Sequence, residues 1–302
     1  MVKFIMVVGL PGSGKSTAAR ELSNSENAVI HSSDSLREEL FGNVNENERN
    51  EELFRELHIR IMNDLVNGNN IIYDATNVGY KRRKAVLDQY KKVKCEKVCY
   101  LIATPFDLCM LQNSKRERNV AGHVLKKMYK NFFVPQDYEG WDKIKILWNF
   151  DETMFDLGEL MARLSQISQD NPHHTLTIGE HCIKCEEYIH TVSENILLQK
   201  AGLLHDIGKE FTKEFRNTKG EETEIAHFYN HQSVSAYDAL FYLKALGDYS
   251  YEQILKICNY IQWHMQPYNI KTGKAKKKFI NLVGEAVYND LLLLNEGDIN
   301  AK

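Results

Sequence analysis

GLPGSGKST, residues 9–17, decides how the rest of the chain reads. It follows an apolar run at 4–8 and precedes a helix-permitting run at 18–22. Strand, glycine loop and helix in that order are what a phosphate-binding loop requires, and the pattern is G-x-x-x-x-G-K-S. Glycines let backbone N–H groups turn inward around phosphate oxygens, and the helix start adds a partial positive charge. The stretch predicts a nucleoside triphosphate site formed by Gly9, Pro11, Gly12, Ser13, Gly14, Lys15, Ser16 and Thr17. Lys15 is expected to reach the β- and γ-phosphates of ATP, and the Ser16 hydroxyl to bind Mg²⁺. The loop names the donor and leaves the acceptor to the rest of the chain.

A length of 302 residues makes two domains the natural prior, and 43% hydrophobic content suffices for ordinary cores. No apolar run reaches about 18 residues, so no membrane span is expected. The chain enters a strand at once, which argues against a signal peptide. Its six cysteines, at 95, 99, 109, 182, 185 and 258, have no disulfide-framework spacing, which fits a reducing cytoplasm. Charge is uneven. Residues 1–150 carry 23 Lys+Arg against 19 Asp+Glu, and the remainder 15 against 22. Residues 81–130 alone hold 14 basic and 4 acidic side chains. A basic field beside a triphosphate site suits a polyanionic acceptor such as an RNA or DNA end, although a solvated basic surface gives the same count. Eight of the eleven histidines lie after residue 170, which points to a second chemical centre.

Strands read at 3–8, 28–31, 71–73, 97–102 and 145–148, and helices at 48–66 and 81–90. Such alternation implies an α/β domain: a parallel sheet with helices on both faces and ligands at the carboxyl ends of its strands. Polar residues follow those ends. After the second strand, Asp34 is placed either to take a proton from an attacking hydroxyl or to cap the helix at Ser35. Arg37 is positioned for an acceptor phosphate. After the third strand, DATN supplies Asp74 and Asn77 as candidate substrate contacts. Asp74 can hold a water on Mg²⁺ or brace the loop, with plain turn chemistry as the alternative. Residues 109–132 are basic and end in an amphipathic helix at 124–132, which fits an arginine-bearing lid or a surface helix.

GLPGSGKST, Asp34 with Arg37, DATN, QNSKR at 112–116 and VLKKMYKNF at 124–132 together resemble the bacteriophage-type polynucleotide 5′-kinases over about residues 1–150. The resemblance implies γ-phosphate transfer to a 5′-OH end. It makes Asp34 the general base, Arg37 the contact to the phosphate beside the acceptor, and Arg116 a stabiliser of γ-phosphate charge. Gln112 stands where the family usually has arginine at the start of the lid motif. Arg118 lies nearby and is carried as a further substrate contact.

From residue 152 the pattern turns helical and stays mostly so, with no Gly/Ser-rich or Pro-rich linker, so an all-α domain at 151–302 is expected. NPHHTLT at 171–177 brings His173 and His174, AGLLHDIGK at 201–209 puts His205 beside Asp206 in an apolar helix, and HFYNHQS brings His227 and His231. Adjacent ionisable groups in an apolar setting are costly unless paired or metal-bound. Imidazoles and carboxylates scattered over several helices can converge on one metal. CxxC at 182–185 has no second pair and reads as helix packing.

His181, His205–Asp206, His231, His264 and Asp298 resemble the ligand set of HD-domain phosphohydrolases over about residues 151–302. The resemblance implies one or two divalent ions (Mg, Mn, Ni, Co or Zn), with Asp206 bridging if there are two. Lys209 would steady a substrate phosphate. His227 stands outside the matched set, and His173 and His174 are expected as turn or substrate-side residues. A kinase fused to an HD phosphohydrolase suggests end healing: NTP-dependent phosphorylation of 5′-OH ends, not necessarily by ATP alone, and removal of 3′-phosphate or 2′,3′-cyclic phosphate. A separate ligase would then seal the ends. The alternatives are a nucleoside or nucleotide kinase fused to a nucleotidase, and an ATP-gated RNA-binding regulator, which Gln112 keeps in view.

Overall fold

The computed structural model describes residues 1–46, 48–116, 118–172 and 174–301. They form two compact units, one of Met1–Met128 with Pro135–Phe150, the other of Tyr129–Val134 with Asp151–Lys302. A division at residue 150 therefore misses one segment. Residues 129–134 group with the second unit, where the Tyr129 and Phe132 rings lie 5.6 and 4.5 Å from that of Tyr237.

The first unit runs β1 (Val2–Val8), α1 (Lys15–Glu26), β2 (Ala28–Ser32), α2 (Ser33–Phe41), α3 (Asn50–Val66), β3 (Asn70–Asp74), α4 (Tyr80–Gln89), β4 (Cys95–Ala103) and α5 (Phe106–Ser114). α6 (Gly122–Lys130) and β5 (Lys143–Trp148) follow. The sheet order is β2-β3-β1-β4-β5, and every pairing is parallel. Phe4 to Val8 are fully buried in the central strand, as a strand covered by helices on both faces must be. Val7 of β1 lies opposite Asp74 of β3, which sets the glycine loop and Asp74 side by side at the carboxyl edge.

A buried ion pair locks the turn after β3. Arg83 donates to Glu139 through Nε and Nη2 at 2.7 and 2.6 Å, and through Nη1 to the carbonyls of Asn77 and Val78 at 2.9 and 3.0 Å. Neither side chain reaches solvent. Replacing Arg83 with leucine leaves the Glu139 carboxylate buried without its guanidinium. A loss of about 3–5 kcal/mol is expected, read as a lowered urea midpoint of the full-length protein. An unchanged midpoint would mean that the pair carries no stability.

The second unit runs α7 (Leu157–Leu164), α8 (Ile178–Val192), α9 (Ile196–Leu204), α10 (Lys209–Thr212), β6 (Lys213–Arg216), β7 (Glu222–Phe228) and α11 (His231–Leu246). It ends with α12 (Tyr251–Trp263), α13 (Gln266–Asn269), α14 (Gly273–Val283) and α15 (Glu285–Asn300). It is helical apart from the antiparallel β6–β7 hairpin. The helical pattern at 152–169 breaks after Leu164. Ser168 there pairs with Thr177 in an isolated bridge, its hydroxyl bonds Asp170 at 2.7 Å, and Asp170 sits at φ 44. Turn-forming side chains win over weak helical periodicity. α8 starts at a reciprocal Thr177–Glu180 capping box. Cys182 and Cys185 are free and fully buried. A Cβ on Gly297 would stand 3.1 Å from Cys185 Sγ, so the CxxC is helix packing against α15. Among the described residues no helix is long and apolar enough to cross a membrane.

Candidate active sites

The first site is a cleft of about 680 Å³ at the carboxyl edge of the sheet. Gly12 and Gly14 take φ +81 and +92, which frees the loop to turn its N–H groups inward. A Cβ on Gly12 would meet the Cys109 carbonyl oxygen at 2.2 Å, so the loop lies directly on the α5 backbone. The Thr104 hydroxyl donates to the Ser13 carbonyl at 2.9 Å, and the Gly9 N–H to the Thr76 carbonyl at 3.3 Å. The Thr17 hydroxyl accepts from Arg20 at 3.4 Å. Lys15 is buried and donates to the Leu10 carbonyl at 2.7 Å. Ser16 Oγ donates to Asp74 Oδ2 at 3.0 Å, a hydroxyl–carboxylate pair of the kind that holds Mg²⁺ beside a triphosphate.

Asp34, Arg37, Arg116 and Arg118 line the same cleft. The cap reading of Asp34 is overturned, because Ser32 accepts from the Ser35 N–H and caps α2. Asp34 instead pairs with Arg118 and, at 3.4 Å, with Arg37, whose Nη2 also donates to Asn50 at 2.7 Å. Asn77 lines the cleft as well, and its amide has a second task. It is buried at φ 51, and its Nδ2 donates to the Val7 and Ala75 carbonyls at 3.1 and 3.3 Å, so it braces the turn. The lid segment has a staple the sequence did not signal: Asn113 donates to the Val120 carbonyl at 2.8 Å and accepts from its N–H at 3.0 Å. Gln112 lies on α5, one residue before that staple.

Burial lowers Lys15 to about 8; Asp74, Cys109 and Asp34 oppose the shift and Arg116 adds to it. A triphosphate needs the charged ammonium, so above pH 8 the protein must take up a proton to bind. Affinity for a nucleoside triphosphate is therefore expected to fall about tenfold per pH unit above 8. Calorimetry in buffers of different ionisation enthalpy checks this: proton uptake at pH 9 that vanishes in Lys15→Arg is the expected result. Equal affinities at pH 7 and 9 would contradict it.

The second site lines a cavity of about 440 Å³. Asp206, His231, His264 and Asp298 line it, His181 and His205 converge on the same carboxylates, and Asp206 divides the six. Its Oδ2 lies 3.2 Å from His181 Nε2 and 3.3 Å from His205 Nε2, with Asp298 Oδ1 3.2 Å from His181. Its Oδ1 lies 3.1 Å from His231 Nε2 and 3.7 Å from His264 Nε2. Two groups result, His181–His205–Asp206–Asp298 and Asp206–His231–His264, sharing one carboxylate. The dyad does not sit within a helix as expected. α9 ends at Leu204 with His205 as its C-cap, and Asp206 lies in the turn before α10. A turn lets both side chains face one centre, which two consecutive helical positions do not allow.

The donor set fits divalent ions. Each histidine donates from Nδ1 to a backbone carbonyl at 2.7 Å: His181 to Ala301, His205 to Gly202, His231 to Phe228 and His264 to Ile261. This fixes the tautomer and turns each Nε2 lone pair inward. The Nε2 atoms of His181 and His205 stand 3.2 Å apart, those of His231 and His264 3.1 Å. Facing lone pairs repel unless a cation or a proton lies between them. Asp206 Oδ1 is buried with no hydrogen-bond partner. Burial opposes charge on His205, yet Asp206 and Asp298 raise it to about 10, while burial with His205 and His231 lowers His264 to about 3. Burial would raise both carboxylates, but His205, Lys209 and His231 hold Asp206, and His181 and His205 hold Asp298, well below the usual carboxylate range.

Lys209 is buried, 2.6 Å from Asp206 Oδ2, and donates to Gln169 at 2.7 Å. His227 belongs to neither ligand group. Its ring stacks on Tyr229 at 5.4 Å, and it lines the cavity. His174 also lines the cavity, edge-on to His181 at 5.2 Å, and burial with Lys209 lowers it to about 4. His173 lies outside the described residues. Tyr268, which donates to Asp298 Oδ2 at 3.0 Å, carried no signal in the sequence.

Comparison with known proteins assigns both halves. Residues 4–135 match the AAA domain family, and residues 178–297 match the HD domain family. The P-loop, kinase-like unit and the helical HD unit are thus both present. Among solved structures, a chain of the Pnkp1/Rnl/Hen1 RNA repair complex is 24% identical over 42% of this chain, with a TM-score of 0.39. A second structure of the Pnkp1/Rnl/Hen1 complex is 24% identical over 40%, with a TM-score of 0.35. A kinase candidate from Chloroflexus aurantiacus is 14% identical over 55% of this chain and 94% of its own, with a TM-score of 0.43. The chain spans 42% of the length of either repair-complex chain. Overlaps this partial carry no argument about substrate.

Proposed function

We propose that this chain, a P-loop kinase-like AAA unit joined to an HD domain, heals broken nucleic-acid ends. Its first unit phosphorylates a 5′-OH end, and its second removes a 3′-phosphate or opens a 2′,3′-cyclic phosphate. The observation that carries the reading is the acceptor side of the first cleft, where Asp34 stands between Arg37 and Arg118. A carboxylate held by two guanidinium groups suits a hydroxyl that has a phosphodiester as its neighbour.

In the kinase reading, loop N–H groups and Lys15 hold the triphosphate. Ser16 and Asp74 would hold its Mg²⁺, which would supply charge neutralisation to the phosphates. The 5′ oxygen forms its bond to the γ-phosphorus, the bond to the β–γ bridging oxygen breaks, and the 5′-OH proton passes to Asp34. Arg37 and Arg118 hold the acceptor phosphate, and Arg116 offsets charge on the transferring group. No base-specific pocket is expected for the donor, so several triphosphates should serve.

In the hydrolase reading, His181, His205, Asp206 and Asp298 would hold one divalent ion, and His231 and His264 with Asp206 would hold a second if two are bound. Such ions supply Lewis acidity at a phosphoryl oxygen and lower the pKa of water. Lys209 keeps Asp206 oriented and offers positive charge to the substrate phosphate. A separate ligase would join the healed ends.

The test is an RNA oligonucleotide with a 5′-OH and a 2′,3′-cyclic phosphate, incubated with labelled ATP and a panel of divalent metals. Label at the 5′ end with loss of the cyclic phosphate is expected. Transfer only to free nucleosides, with hydrolysis only of free nucleotides, would move the chain to nucleotide metabolism. RNA-stimulated phosphate release with no label in the RNA would move it to an ATP-gated regulator.

A further inference from the structure

Outside both centres, the first unit has another cavity, of about 760 Å³, between α3 and α4. Phe54 and Arg82 line it and also line the phosphate-loop cleft, so the two run into each other. At that junction the Arg82 guanidinium lies over the Phe54 ring, 4.1 Å from its centroid. Beyond it come Arg55, Ile59 and Met62. Ile59 is 49% exposed, an apolar side chain that the fold itself leaves uncovered.

The arginines of α3 and its N-cap, with Arg82 of α4, divide into two kinds. Arg49 is paired with Glu52, and Arg60 with Glu39 and Glu56. Among the described residues, Arg55 and Arg82 have no carboxylate partner. Two unneutralised guanidinium groups interleaved with aromatic and apolar surface form the combination that binds a single strand. The cations meet phosphates, and the flat apolar surfaces meet base faces.

We propose that this groove holds the nucleotides of the acceptor strand that lie 3′ to the end being phosphorylated. The inference rests on the kinase reading for its direction: the strand enters the cleft at its 5′ end and leaves past Arg82 and Phe54. It commits the groove to single-stranded nucleic acid, because two unpaired arginines flank apolar surface where an acidic peptide would need only the charges.

The experiment compares acceptors of increasing length: a nucleoside 3′-phosphate, a four-nucleotide RNA and a ten-nucleotide RNA, each with a 5′-OH. For the wild-type protein, kcat/KM is expected to rise about tenfold from the shortest to the longest. Arg55→Glu and Ile59→Asp should abolish that rise and leave the rate on the nucleoside 3′-phosphate unchanged, while Arg55→Lys should keep it. No rise in the wild type, or a rise untouched by Arg55→Glu, overturns the groove and leaves the kinase reading standing. Binding of a fluorescent ten-nucleotide RNA, followed by anisotropy, reads the groove without phosphoryl transfer. If no acceptor is phosphorylated, the kinase reading fails. A tenfold weaker binding in Arg55→Glu then still supports the groove, and equal binding overturns it. Polyglutamate that displaces the RNA through Arg55 with equal affinity would assign the surface to an acidic protein instead.

Discussion

Asp206→Asn is expected to remove bound divalent metal and to lower hydrolysis by roughly 10³-fold or more, with phosphoryl transfer unchanged. The carboxylate belongs to both ligand groups, Oδ2 facing His181 and His205, Oδ1 facing His231 and His264. Among the described residues no other side chain belongs to both groups. Loss of an outer partner of a metal ligand typically costs 10- to 100-fold, and a shared ligand carries more. Asparagine keeps the size but supplies no negative charge, so four inward-facing imidazoles and the Lys209 ammonium lose their common counter-charge. Metal content after gel filtration and hydrolysis of an activated phosphodiester measure the two effects separately. A variant that retains both ions at wild-type content would show that Asp206 does not bridge.

Lys15→Ala is expected to lower phosphoryl transfer by about 10²- to 10³-fold, with hydrolysis by the second unit unchanged. The ammonium is buried and bonded to the Leu10 carbonyl, which places it inside the cradle that the phosphates enter. Burial costs the ammonium more than nearby Asp74 returns, as its lowered titration point reflects. A triphosphate supplies further negative charge. The variant should therefore be at least as stable as the wild type to urea while losing transfer, which separates a lost contact from a lost fold. Transfer within a factor of about three of wild type would take Lys15 out of the chemistry.

Much of this was legible in the sequence because the signals are local. The phosphate loop needs consecutive residues, and the parallel sheet follows from apolar runs spaced by helical ones. The six candidate metal ligands were legible as residue types in order. Their division into two groups was not, because it depends on which oxygen of Asp206 faces which ring. The four Nδ1–carbonyl bonds were equally invisible, since backbone carbonyls leave no mark in a sequence. Arg83 and Glu139 are 56 residues apart, so nothing local announced their pairing. Asn77 is the opposite case: DATN reads as site chemistry, and nothing in it shows that the left-handed backbone also turns the amide into a brace. The β6–β7 hairpin was missed although NTKG at 217–220 offered a turn between alternating segments.

Two separate phosphate centres on one chain, each acting at a different end of one RNA, is the claim to test first. A single RNA with a 5′-OH and a 2′,3′-cyclic phosphate, incubated with labelled ATP and scored at both ends, tests it in three proteins: wild type, Lys15→Ala and Asp206→Asn. Both ends processed by wild type, only the 3′ end by Lys15→Ala and only the 5′ end by Asp206→Asn is the expected pattern. Loss of both activities in either single variant, or neither end processed by wild type, would contradict it.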